Sequence, residues 1–338
     1  MRLSVLDQSP IPEGSSAGDA LQNSIDLARL VDGLGYTRYW VAEHHGAQSL
    51  ACASPEVLIG PIAAATSRLR VGSGGVMLPH YSPLKVAETF SMLCGLFPGR
   101  IDLGIGRAAG SSPRVAFALQ WDRRQAAPDD FREQLDELLN YCAGRTPFRV
   151  VSPELWLLGS SHDSAIWAAE LGMPYAFADF INPNGAQMAR YYRQQFTPSA
   201  LLTAPHTAVA AWAICAETDE EAFRLSLSFR MMAILMMQGR SVPVPTPEHA
   251  LDFFEERHIR PEQAPAGRRI ISGTPDHVRA GIEKLAGEYE ADEVLIVNIL
   301  HDHAARRRSY ELIAEAFELD GRETKRECLE NGGKVRIS

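Results

Sequence analysis

Lysine is nearly missing from this chain. Of 33 basic residues among 338, only Lys85, Lys284, Lys325 and Lys334 are lysines. That skew towards arginine reflects the base composition of a genome more than a mechanism. Basic clusters of roughly five to eight residues, which mark nucleic-acid patches, do not occur, and 42 acidic residues leave a net charge of −9. An acidic chain of this kind argues against nucleic acid or an anionic membrane as the main partner. Cysteine is scarce as well. Cys52, Cys94, Cys142, Cys215 and Cys328 are odd in number and lack CxxC spacing, which favours reduced thiols in a cytoplasmic protein over a disulfide framework or a zinc site. No apolar run approaches the roughly 20 residues that span a bilayer. The opening MRLSVLDQSP lacks the apolar stretch of a signal peptide. What remains is ordinary globular composition, 46% hydrophobic and 22% charged, with ample material for a core.

Strand-like and helix-like segments alternate along the chain, the pattern of βα units around a parallel sheet. Eight strands are expected: Arg2–Leu6, Tyr39–Ala42, Leu69–Val76, Ile101–Ile105, Leu155–Leu158, Tyr175–Ala178, Thr207–Cys215 and Glu293–Val297. Between them the apolar period changes to that of a helix. Leu27, Leu30, Val31 and Leu34 share one face before Gly35 stops the run, and Val278, Ile282 and Leu285 form a stripe after the start signal Thr274-Pro275. Thr218 with Glu221 three residues later predicts a capping box. No linker divides the chain, so residues 1–338 are expected to form a single domain, with 318–338 a partly ordered tail. Two stretches, 107–128 and the Pro-rich 239–269, read as long irregular loops, either lids over a site or surface insertions.

Five clusters are candidates for chemistry. Glu43-His44-His45 follows the second strand. Successive strand residues face opposite ways, so the two histidines do not suit one metal. A general acid/base histidine fits, as does one satisfied by packing. Gly72-Ser73-Gly74-Gly75 lies inside a strand, where glycine marks a bulge, a tight corner or the close approach of a flat ligand. Gly104-Ile105-Gly106-Arg107-Ala108-Ala109 fits the dinucleotide fingerprint but follows a fourth strand rather than a first, so Arg107 reads better as an anion clamp at a strand end. In Gly159-Ser160-Ser161-His162-Asp163-Ser164, the three serines precede a helix, where they either cap it or help its N–H groups hold a phosphate. Asp163 would repel that phosphate unless it points away. His301-Asp302-His303 follows the last strand, with His301 expected to line a barrel mouth rather than bind metal. No metal site is expected anywhere.

Taken together, WVAEHH (40–45), RVGSGGVMLPHYSPLKVAE (70–88), GRIDLGIGR (99–107), WLLGSSHDSAIWAAELGMPYAFA (156–178) and SGTPDHVRAGIEKL (272–285) resemble the bacterial-luciferase-like family of flavin-dependent monooxygenases. The pieces occur in family order and span most of the chain. The resemblance implies an α/β fold, a (β/α)8 TIM barrel with insertions at the C-terminal mouth, holding reduced FMN there. It implies a two-component enzyme: a separate NAD(P)H:flavin reductase supplies FMNH2, and O2 forms a C4a-peroxyflavin that oxygenates a hydrophobic or aromatic small molecule, as in secondary metabolism. His44 takes the position of the catalytic histidine. Gly74 and Gly75 fall at a bulge near the isoalloxazine, often with a non-prolyl cis peptide. Arg107, Ser160, Ser161 and Ser164 match the phosphate site, and Tyr81, Met77, Phe177 and Phe180 would line the apolar mouth. Ser160 stands where true luciferases carry Glu, and Gly106 where they carry a reactive Cys, so aldehyde-driven light emission is not implied. The family is commonly homodimeric through helices of the early barrel. F420-dependent hydride transfer on the same barrel, or a flavin-binding protein without turnover, are the alternatives.

Overall fold

The computed structural model describes residues 1–107, 113–119, 130–145, 150–265 and 267–320. Among these are nine parallel strands: β1 (Arg2–Asp7), β2 (Arg38–Val41), β3 (Arg70–Met77), β4 (Ile101–Gly106), β5 (Glu154–Gly159), β6 (Tyr175–Ala178), β7 (Thr207–Cys215), β8 (Ile270–Gly273) and β9 (Glu293–Val297). β1 to β7 pair in chain order, and β9 pairs with both β7 and β1, closing an eight-stranded barrel. The eight expected strands are those of the barrel. β8 is an addition: four residues that pair with the end of β7. It is too short, and too close to the Pro-rich stretch, to stand out by periodicity.

The outer helices bury the stripes that their spacing dictates. The helix Ala17–Leu34 starts at a Ser16–Asp19 capping box, buries Leu27 and Val31, and ends at Gly35 with φ 93°, the left-handed stop that glycine adopts freely. Pro275–Tyr289 buries Val278, Ile282 and Leu285. The capping box expected at Thr218 is half made. Its hydroxyl accepts from the Glu221 amide, but the Glu221 carboxylate turns to Arg224.

The Pro-rich stretch is less irregular than its sequence suggests. It contains the helix Pro247–Glu256. Val244 is buried, donating to the Ile11 carbonyl and accepting from the Glu13 amide, so the segment is packed onto the C-terminal rim beside the loop after β1. In the other stretch, Pro113–Leu119 is helical. Residues 108–112 and 120–128 of that stretch, and 321–338 of the tail, lie outside the described residues.

Candidate active site

Strand residues that point inward stack in layers, as barrel geometry requires. The lowest layer is charged. Arg38 Nη1 donates to Asp102 at 2.8 Å and to Glu154 at 3.0 Å, and its Nε donates to Glu293 at 2.8 Å. Arg70 adds a second cation to Asp102. Burial pushes the Asp102 carboxyl up, against the pull of Arg38 and Arg70. The middle layer is aromatic: Trp40 and Trp156, both buried, meet edge to face at 5.2 Å. Their indole N–H groups donate downward to Asp102 and Glu154. The upper layer is small. Gly74, Gly75 and Gly106, with Ala176, Ala178 and Ala210, leave a cavity of about 280 Å³ whose floor includes Leu6, Trp40 and Leu295. The lower charges belong to the N-terminal face, where they serve the scaffold, and the cavity opens at the C-terminal face, where barrel chemistry occurs.

The β3–β4 wall of this cavity depends on glycine. A β-carbon at Gly104 would collide with the Ser73 carbonyl oxygen, and one at Gly75 would stand 2.9 Å from the Gly104 oxygen. The pairing register shifts between Ser73 and Val76, and the Gly74–Gly75 peptide is cis. The bulge, the tight corner and the cis bond expected of these residues therefore coincide, and both glycines line the cavity.

One end of the cavity is polar. Arg107, at the exit of β4, lines it together with Ser160, Ser161 and Ser164. The helix His162–Leu171 begins there, and the Ser161 hydroxyl accepts from the Ser164 amide at 3.4 Å. Ser164 is buried. Its hydroxyl donates to the Ser161 carbonyl at 2.8 Å and lies 3.0 Å from the Tyr175 hydroxyl, so its part is to shape the turn. The turn is also tied from the loop after β6, because Asn182 Nδ2 donates to the Ser160 carbonyl at 3.0 Å. Asp163, which sequence reasoning could only treat as a source of repulsion, pairs with Arg107 at 3.1 Å. Trp167, one helical turn on, takes the guanidinium over its ring at 5.2 Å. Sequence reasoning missed Trp167, although its i+4 spacing from Asp163 puts both on one face. The rest of the lining is apolar: Phe131, Leu158, Phe177, Phe180 and Ile181.

His44 follows β2 but is not among the residues that line the cavity. It is partly exposed overall, yet its Nδ1 is buried without a hydrogen-bond partner. Burial, and secondarily the nearby His45, push its pKa down to about 4, leaving a neutral imidazole at physiological pH. Its neighbour Glu43 is fully buried and accepts from the Met77 amide and the Tyr81 hydroxyl, both at 2.9 Å, with His45 Nε2 at 2.6 Å. Of the expected mouth residues, Met77, Phe177 and Phe180 line the cavity; Tyr81 is instead held by Glu43. His301 is not a lining residue either: its Nε2 faces the Glu13 carbonyl at 3.2 Å. Among the described residues no cluster of three His, Cys, Asp or Glu side chains could hold a metal, and no helix is long and apolar enough to cross a membrane.

A closed parallel barrel whose cavity opens at the C-terminal face is the architecture of an α/β-barrel enzyme. The family profile described as luciferase-like monooxygenase matches residues 1–293. A luciferase-like monooxygenase of Escherichia coli is 40% identical over 326 residues, 93% of this chain and 96% of the relative. An N-acetyl-S-alkylcysteine monooxygenase of Bacillus subtilis is 36% identical over 331 residues, covering 94% and 98%. The crystal structure of apo-MsnO8 superposes with a TM-score of 0.87 at 43% identity, covering 94% and 98%. This chain belongs to the luciferase-like monooxygenase family and is an oxidoreductase. Similar in fold alone are a 3,6-diketocamphane monooxygenase component in complex with FMN (21% identity, TM-score 0.70) and an F420-dependent secondary alcohol dehydrogenase (15%, 0.59).

Proposed function

We propose that this protein is the oxygenating component of a two-component FMN system. In this reading a separate NAD(P)H:flavin reductase delivers FMNH2 in the cytoplasm, and the barrel uses it with O2 to oxygenate a hydrophobic or aromatic small molecule. The observation that carries the reading is one cavity with two unlike ends: an arginine and a serine turn at a helix N-terminus, and a wall of apolar side chains over a glycine bulge. That donor set suits a phosphate, and the bulge suits the close approach of a flat ring. Reduced flavin, once bound, supplies the electrons that activate O2.

The chain's own residues do the rest. Arg107 and the amides after Ser160 and Ser161 hold the phosphate end. Gly74 and Gly75 give the ring backbone rather than side chains to rest on. Leu158, Phe177 and Phe180 keep water from the reacting centre. We assign proton handling to His44, whose neutral imidazole leaves its buried Nδ1 without a hydrogen-bond partner. The protein works as a homodimer, a reading supported by exposed Val57, Met92 and Leu96 on the helices Pro55–Ala65 and Pro83–Leu96.

Anaerobic titration with FMNH2 and with reduced F420, followed by O2 uptake in the presence of a flavin reductase, tests the proposal. FMNH2 binds, and uptake rises when a substrate is supplied. Preference for F420 would make the protein a hydride-transfer enzyme. Flavin binding with no substrate-dependent uptake in any panel would make it a carrier.

A further inference from the structure

We propose that Asp163 competes with the cofactor phosphate for Arg107 and so sets flavin affinity below what the site could otherwise reach. The inference rests on the flavin reading of the cavity and deepens it. Asp163 is the second residue of the helix His162–Leu171, next to the amides that would meet a phosphate, and its Oδ2 lies 3.1 Å from Arg107 Nη2. One carboxylate thus draws on both groups that an incoming anion needs: the guanidinium and the positive helix end.

The pair is built to part. The Arg107 side chain is 37% exposed and that of Asp163 51%, and ion pairs this open to water are weak. Trp167 also holds the guanidinium, against its ring at 5.2 Å, so the arginine has a support besides Asp163. The arginine is therefore presented in place while its first anion is exchangeable. A flavin handed over by another protein and released each cycle is served by a site that binds it modestly.

An opposite role, in which Asp163 orients Arg107 for phosphate, predicts the opposite sign. The test measures equilibrium Kd for FMN and for riboflavin by fluorescence quenching at low salt, with wild type, Asp163→Asn and Asp163→Glu. Asp163→Asn binds FMN about fivefold tighter, Asp163→Glu binds as wild type does, and riboflavin, which lacks the phosphate, is unaffected by either. The gap narrows as salt screens the competition. An unchanged or weaker FMN affinity in Asp163→Asn overturns the inference, as does an equal gain for riboflavin. Failure of the underlying reading looks different: wild type then binds FMN no better than riboflavin, and Arg107→Ala changes neither.

Discussion

His44 makes the stability of this protein depend on pH in a calculable way. In the unfolded chain its imidazole titrates near the ordinary 6.5; in the fold, burial pulls it down to about 4. Between these values the unfolded state binds the extra proton, so stability falls as pH falls, beginning below 6.5 and ending near 4. The full span, 2.5 pH units, corresponds to about 3.4 kcal/mol. At pH 5 the same two values give a loss of about 2 kcal/mol relative to pH 8. The residue as a whole is not fully buried, which makes these figures ceilings. His44→Asn removes the titrating group while keeping a polar side chain there. Urea denaturation of both proteins, without added flavin, at pH 8, 6, 5 and 4.5 isolates the effect, because every other titrating group cancels in the difference. Wild type loses 1–2 kcal/mol more than the variant between pH 8 and 5, by the same linkage. Curves that stay parallel over this range would refute the enclosed imidazole whose charged form the fold disfavours.

Two further outcomes follow from the barrel interior. Arg38→Met strands Asp102 and Glu293 without their shared cation, and denaturation should show a loss of about 3–5 kcal/mol; adding Asp102→Asn to that variant should cost less than the two single changes summed. Gly104→Ala drives a methyl group at the Ser73 carbonyl and to 2.9 Å from Leu158 Cδ1, so it should cost about 1–3 kcal/mol in the same assay and, by shifting the β3–β4 wall, weaken flavin binding.

The barrel was legible because its outward strand positions and helix stripes are both apolar but differ in period. Leu3 and Val5 alternate inside β1, whereas Leu27 and Val31 are spaced by a helical turn. The glycine bulge was legible from residue type, since few other residues suit a tight strand corner, and the place of Arg107 in the cavity from its position at a strand end. Three things were hidden. The charged floor is invisible in sequence because Arg38, Asp102, Glu154 and Glu293 sit at or near strand starts, where polar residues read as turns. The Arg107–Asp163 pair joins elements 56 positions apart, and no local rule couples them. Tyr81 was expected at the apolar mouth, but its hydroxyl donates to buried Glu43 and it is not among the residues that line the cavity.

The aromatic layer also has a consequence for traffic. Trp40 and Trp156 stopper the barrel halfway down, so there is no rear exit through its axis. A molecule that reaches the floor of Leu6, Trp40 and Leu295 has no way onward through the barrel axis. Two ligands sharing such a blind well cannot pass each other: the one seated deeper must arrive first and depart last. On the flavin reading, an order of binding and release would thus follow from a pair of tryptophans that need never touch either ligand's reacting atoms.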